Sequence, residues 1–324
     1  MIFAKDVDFH TPPATADFRW AETSYFPFAI PEAGISGAIY FVFRPKLGVV
    51  MSDITIFDRI SRHWEGQSYI DNQQHLPCPE KLSKFSLPNG ISLEVINGPQ
   101  DYRIDYVGID DTEAHFEFRG IMPPQDINDP AQDPLTRRKL QQSGGGGVWD
   151  GAFAGHFEMT ARSRGELILR GKRYPIDCLG TMDHSWGPRA ERDNTNAVWL
   201  QGHFGDDLVI HALSSLDPRV PDSIGPLWHG YVLKDGRVRG LVSGRGRTER
   251  QGVFVAGQQV SLTDEDGDTY EMTGTAVNWG PWAPYPSVAY YQSLTRWNLN
   301  GRIGYGPYQE VISRSYATRH RLAD

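Results

Sequence analysis

Apolar and polar residues alternate along most of the chain with a period of two, the pattern of strands that bury one face. Ile35–Phe43 (ISGAIYFVF) and Gly48–Phe57 (GVVMSDITIF) predict paired strands joined at Arg44-Pro45-Lys46-Leu47. Ser92–Ile96, Tyr102–Val107 and Ala114–Arg119 continue the series at spacings of about ten residues. Strands resume at Ala154–Ala161, Gly165–Leu169 and Tyr174–Leu179. Beyond residue 195 come hairpins around Gly205-Asp206-Asp207 and Lys234-Asp235-Gly236-Arg237, and a third around Asp264–Asp268. The Asp-Gly pair in the second is a strong turn signal. The chain closes with Ser293–Leu299, Gly301–Tyr305 and Tyr308–Ser315.

Helical periodicity is scarce, because Pro or Gly interrupts nearly every window long enough for three turns. The best exception is a short stretch near Pro134–Gln142. It lies within Pro123–Gly147, a proline-bearing segment ending in Gly144–Gly147, which predicts a long mobile loop serving as connector or lid, with the glycine run as a hinge. The rhythm predicts an all-β chain of antiparallel barrels or sandwiches, seven or eight strands to each half. With 324 residues, two domains are expected, 1–185 and 186–324. Gly155-His156-Phe157-Glu158-Met159 and Gly306-Pro307-Tyr308-Gln309-Glu310-Val311 form a faint echo between the halves.

Composition sharpens this picture. Nine Trp, 14 Tyr and 15 Phe beside 34 Gly and 22 Pro favour short strands and tight turns over helices. A net charge of −8, with the 32 Lys and Arg scattered, argues against a nucleic-acid partner. No apolar run reaches the roughly 18 residues of a membrane span, and the acid-bearing start MIFAKDVDFHTPP does not read as a signal peptide, so a cytoplasmic location is expected. Cys78 and Cys178 are expected to be free buried thiols. A homodimer is the one assembly left open.

Chemistry concentrates in Asp183-His184-Ser185-Trp186-Gly187-Pro188-Arg189, which sits between the two strand series. On an extended chain Asp183, Ser185 and Gly187 share one face and His184 and Trp186 the other, while a bulge at Gly187-Pro188 would redirect Arg189. In the following hairpin Trp199, Gln201 and His203 alternate on one face. A three-residue loop there sets Gln201 opposite His211 and His203 opposite Val209; a two-residue loop parts the two histidines. Aromatic residues, Tyr25, Trp64, Trp282, Tyr290 and Trp297 among them, exceed the needs of two cores, and some are expected to line an apolar cavity. There is no phosphate-binding glycine loop, no Gly-x-Ser-x-Gly elbow, and no HxH or HExxH spacing for a metal through His184, His203 or His211, so neither cofactor nor metal is expected.

Trp20-Ala21-Glu22-Thr23-Ser24-Tyr25-Phe26, Gly171–Asp177 leading into Asp183–Arg189, and Glu310 together resemble the AttH-like and carotenoid 1,2-hydratase-like superfamily. The resemblance implies two lipocalin-like β-barrels in tandem with a ligand cavity near their junction. It also implies hydratases acting on isoprenoid double bonds and, more distantly, Diels–Alder cyclases of polyenes; the alkene-protonating acid of the hydratases falls on Asp183. The expectation is therefore a cofactor-independent lyase or isomerase acting on a hydrophobic, unsaturated or polycyclic small molecule. Asp183 would be acid or base, its pKa raised by burial against Trp186, with His184 or His203 as second proton carrier. Arg189 would clamp Asp183 or bind a substrate oxygen. Trp186, Trp199, Gln201, His211, Tyr25, Trp64, Tyr305 and Glu310 would contact substrate. A non-catalytic carrier and a pericyclase-type cyclase are the alternatives.

Overall fold

The computed structural model describes residues 1–143, 153–189, 196–285 and 287–322. Among them, the first sheet contains β1 (Trp20–Ile30), β2 (Ile35–Arg44), β3 (Val49–Phe57), β4 (Tyr69–Pro77), β5 (Lys84–Ser86), β6 (Ile91–Asn97), β7 (Asp101–Val107), β8 (Glu113–Gly120), β9 (Gln125–Asp126), β10 (Gly155–Leu169) and β11 (Lys172–Pro188). Their order is β4-β3-β2-β1-β11-β10-β8-β7-β6-β5, with β9 pairing β10, and the sheet curls into an open half-barrel. The second contains β12 (Ala197–His203), β13 (Leu208–Leu216), β14 (Ile224–Lys234), β15 (Arg237–Gln251), β16 (Phe254–Asp264), β17 (Thr269–Ala276), β18 (Gly280–Trp282), β19 (Val288–Leu299) and β20 (Arg302–Ser313). Pairing of β17 with β19 closes eight of these strands into an antiparallel barrel, leaving β18 at its side. The chain is all-β, as the alternation predicts. The long strands β1 and β4 and the short strands β5, β9 and β18 are not among those read from periodicity.

Burial separates two kinds of strand. β7 and β17 alternate buried and exposed residues, the mark of one face on a core and one in water. β1, β12, β13 and β20 are buried on nearly every residue, because each fills a barrel with one face and meets the other sheet with its second. Phe26, Phe41, Phe118 and Phe157 belong to the core of the half-barrel; Leu200, Ile210, Leu262 and Trp297 belong to that of the closed barrel. The predicted turn at Asp235-Gly236 forms with both residues at positive φ, as a two-residue hairpin requires.

Reciprocal hydrogen bonds tie the sheets together. Gln201 Nε2 donates to the Thr181 carbonyl at 3.0 Å while its Oε1 accepts from Thr181 N–H at 3.1 Å. Asn278 Nδ2 donates to the Gly34 carbonyl at 2.9 Å and the Phe57 carbonyl at 3.1 Å. Trp282 Nε1 donates to Asp53 at 2.5 Å.

The expectation of a mobile loop over Pro123–Gly147 is overturned for its described part. Residues 123–143 hold β9 and helix α1 (Pro134–Ser143), with Ile127, Asp133, Leu135 and Thr136 buried. Asp133 caps the helix, accepting from Leu135 N–H at 3.0 Å and Thr136 Oγ1 at 2.9 Å, and Pro134 occupies the first helical position. The Gly144–Gly147 hinge lies outside the described residues. Cys78 and Cys178 are free, the second buried and the first half-buried.

Candidate functional site

The DHSWGPR segment lies where the first sheet's strands end and the second's begin, but as strand rather than linker: Asp183–Pro188 form the last third of β11, with Arg189 just beyond its end. Pairing with β1 runs unbroken from Tyr25↔Asp183 to Trp20↔Pro188, and Arg189 N–H still donates to the Arg19 carbonyl at 2.8 Å. No bulge redirects Arg189. Simple alternation returns it to the face of Asp183 and Ser185, while His184 and Trp186 point the other way, into the half-barrel side.

Strand register then builds a polar floor facing the closed barrel. One rung crosses six strands as Glu158↔Asp183↔Tyr25↔Tyr40↔Asp53↔Asn72. The next rung aligns His156, Ser185 and Thr23. Arg189 Nη2 donates to Ser185 Oγ at 2.6 Å and Thr23 Oγ1 at 3.0 Å, and those hydroxyls are 2.7 Å apart. Trp199, Trp282, Tyr290 and Gln309 close the opposite wall from β12, β18, β19 and β20, with Phe153 at the side. The cavity between floor and wall measures about 60 Å³. Trp282 stands edge-on to Tyr290 at 5.2 Å between centroids, giving an aromatic wall with a polar floor.

Asp183 has no ion pair or hydrogen bond to its carboxylate among the described residues, although it lines the same cavity as Arg189. Burial pushes its pKa up to about 6; His156 opposes this, the Glu158 charge adds to it, and Arg189 opposes it. Trp186, on the far face, is not the burying group. Asp53, further along the rung, is also pushed up to about 6 by burial, against hydrogen bonds from Trp282, Asn72 and Thr55.

His156 is the residue sequence reasoning missed. Its Nε2 lies 3.1 Å from Glu158 Oε1, while its Nδ1 is buried without a hydrogen-bond partner on a ring that lines the cavity. Diagonal neighbours on adjacent strands stand about 7–8 Å apart, which leaves room for a substrate group between His156 and Asp183. The sequence carries the signal as His156-Phe157-Glu158, a period-two pair on one strand face within the segment that echoes the second half. Glu158 in turn sits 2.6 Å from His211 Nε2 and 3.3 Å from His229 Nε2, and His229 Nδ1 is 3.4 Å from Asp133. Burial disfavours the Glu158 charge, yet His211, His156 and His229 outweigh it and hold the carboxyl well below its usual range.

The other expected residues are scattered. Tyr25 and Trp199 line the cavity. The hairpin register is the three-residue-loop one, with Gln201 opposite His211 and His203 opposite Val209. Yet Gln201 is spent on Thr181, and His211 on Glu158. His203 and Tyr305 line a separate pocket of about 200 Å³ beside Cys178. Burial, reinforced by neighbouring His211, lowers the His203 pKa to about 3. Trp64 is exposed, and Glu310 pairs with Arg250 at 2.6 Å away from the cavity.

Sequence comparison matches residues 4–311 to a family described as a domain of unknown function, DUF7064. The chain belongs to that family. No curated protein matches the DUF7064 chain by sequence. Solved structures do. Kievitone hydratase from Nectria haematococca aligns over 91% of this chain and 88% of its own, at 12% identity and a TM-score of 0.51. The Nitrosomonas europaea protein assigned to AttH covers 90% and 91% at 14% identity and a TM-score of 0.51. CghA, also solved with Sch210972, covers 91% and 88% at 12% identity with a TM-score of 0.58. The DUF7064 chain thus has the AttH-like fold. Among its described residues, no helix is long and apolar enough to cross a membrane.

Proposed function

We propose that this DUF7064 protein is an acid–base enzyme of the hydro-lyase or isomerase type. It acts on the reacting end of a hydrophobic, unsaturated small molecule at the junction of the two sheets. The observation that carries this reading is the meeting of a carboxyl unpaired among the described residues (Asp183), a histidine with an open nitrogen (His156) and an anchored guanidinium (Arg189) in one aromatic-walled cavity. The site needs no further group for proton transfer. Asp183, its pKa raised by burial to about 6, donates from its protonated form to a leaving hydroxyl or an alkene carbon. Glu158 accepts the Nε2–H of His156, which leaves Nδ1 as the base that removes the second proton. Arg189 holds the substrate oxygen. Trp199, Trp282 and Tyr290 stabilise developing positive charge by cation–π attraction, on the order of 2 kcal/mol when desolvated. A cavity of about 60 Å³ admits the reacting group but not a polycyclic body, which extends outward past the mouth. The structural likeness to a hydratase and to CghA supports a fold suited to such chemistry.

The test is to incubate the protein with isoprenoid and polycyclic alkenes and their hydrates, and to follow gain or loss of water by mass spectrometry. Asp183→Asn and His156→Gln should each lower turnover about 10²–10⁴-fold while thermal-shift binding of the same compounds persists. Turnover unchanged in Asp183→Asn sinks the acid assignment and favours cyclisation by shape. Binding of panel compounds without turnover in the parent protein favours a carrier.

A further inference from the structure

The reverse face of β11 carries a second cluster that the acid–base reading does not use. His184 Nδ1 lies 2.9 Å from Ser24 Oγ, and its Nε2 is buried without a hydrogen bond, 3.4 Å from Glu22 Oε2. His10, from the segment before β1, brings its Nδ1 to 3.1 Å from the same oxygen, and its backbone N–H donates to Glu22 Oε1 at 2.7 Å. The His10 ring is stacked on Trp186, with centroids 3.6 Å apart and planes 9° from parallel, which fixes its orientation. Its Nε2 stands 3.6 Å from Asp6 Oδ1. Glu22 is fully buried.

One ligand atom from each of His10, Glu22 and His184 falls within 4.8 Å of the other two. A tetrahedral ion with bonds of about 2.0–2.1 Å sets its ligand atoms about 3.4 Å apart. The two measured nitrogen–oxygen separations, 3.1 and 3.4 Å, already match that edge. One outer contact matches as well. Ligating histidines usually donate their second ring N–H to an oxygen, which fixes the tautomer. Ser24 Oγ, 2.9 Å from His184 Nδ1, is placed to accept that N–H, which would leave the buried Nε2 lone pair free; Asp6 Oδ1, 3.6 Å from His10 Nε2, stands beyond hydrogen-bond reach.

We propose that His10, Glu22 and His184 bind a divalent transition-metal ion, Zn²⁺ by ligand type, with water completing the shell. The ion fastens the segment before β1 onto the half-barrel, on the face of β11 opposite the Asp183 cavity. Spacing rules miss the site because its ligands lie at positions 10, 22 and 184, joined only by the β1–β11 pairing and the path of the first residues.

The full chain, freed of any affinity tag and treated with chelator, is titrated with Co²⁺ and then Zn²⁺. One equivalent of Co²⁺ should give the visible absorption of a four-coordinate ion, Zn²⁺ should displace it, and added Zn²⁺ should raise the Tm. Ser24→Ala should weaken Zn²⁺ binding about 10–100-fold, and His10→Ala at least as much. His10→Cys should restore binding and add a thiolate-to-cobalt band; this keeps the idea testable if removing the His10 side chain loosens the fold. Absence of stoichiometric binding, binding indifferent to His10→Ala (adventitious surface histidines only), or His10→Cys without the thiolate band each overturns the proposal.

Discussion

Glu158 serves two ends that substitution can separate. It orients His156 toward the cavity, and it is the shared anion for His211 and His229, both fully buried. Glu158→Gln removes a buried charge and strands the cation it balanced. Breaking such a buried pair costs about 3–5 kcal/mol. His156→Gln leaves that network intact and removes only the ring at the cavity wall. Urea unfolding should therefore place Glu158→Gln several kcal/mol below the parent and His156→Gln close to it, although both lose turnover. Equal stability for the two variants would mean that Glu158 is not the anchor of the junction. At this scale the sequence was informative about Asp183 and Arg189, because a dense run of unlike polar residues stands out. It was silent about His156 and Glu158, whose two-residue spacing acquires meaning only when Ser185 and Asp183 are seen opposite them.

At the scale of elements, β11 shows what periodicity reads and where it stops. Alternation correctly separated Asp183 and Ser185 from His184 and Trp186, but Gly180, Gly187 and Pro188 disguised a strand of 17 residues as a fragment followed by a junction. Which face meets the cavity depends on the partner sheet, and no local pattern encodes that. The same pairing explains Gly155 on β10. It stands opposite Trp186, and an added Cβ would fall 1.9 Å from the indole ring. Gly155→Ala must displace Trp186 from its stack on His10, at a cost of about 1–3 kcal/mol for overpacking. Near-UV circular dichroism should lose Trp signal and the urea midpoint should fall. A variant with parent-like spectrum and midpoint would show that the indole is not held there. Helix α1 is the converse case: the helical stretch near Pro134–Gln142 is legible within its proline-rich surroundings and forms as Pro134–Ser143, capped by Asp133.

At the scale of the whole molecule, the junction between the sheets is built from histidines with opposite proton preferences. His229 is buried, which alone would lower its pKa, but Asp133 and Glu158 outweigh burial and push it up to about 9. A raised pKa stabilises the fold fully below the unfolded value near 6.5, and that contribution is lost as pH rises through about 9. His203 is the reverse: with its pKa lowered to about 3, it favours the folded state above pH 6.5 and loses that contribution as pH falls toward 3. Together the two groups brace the packed sheets most strongly near pH 6.5, one failing on each side. Urea midpoints measured from pH 4 to pH 10 should show both limbs. His229→Gln should flatten the alkaline limb while lowering stability most at neutral and acid pH. His203→Gln should flatten the acid limb and leave the alkaline one unchanged. If His229→Gln instead runs parallel to the parent across the alkaline range, His229 is neutral in the folded protein, and Glu158 must be balanced by the other histidines alone.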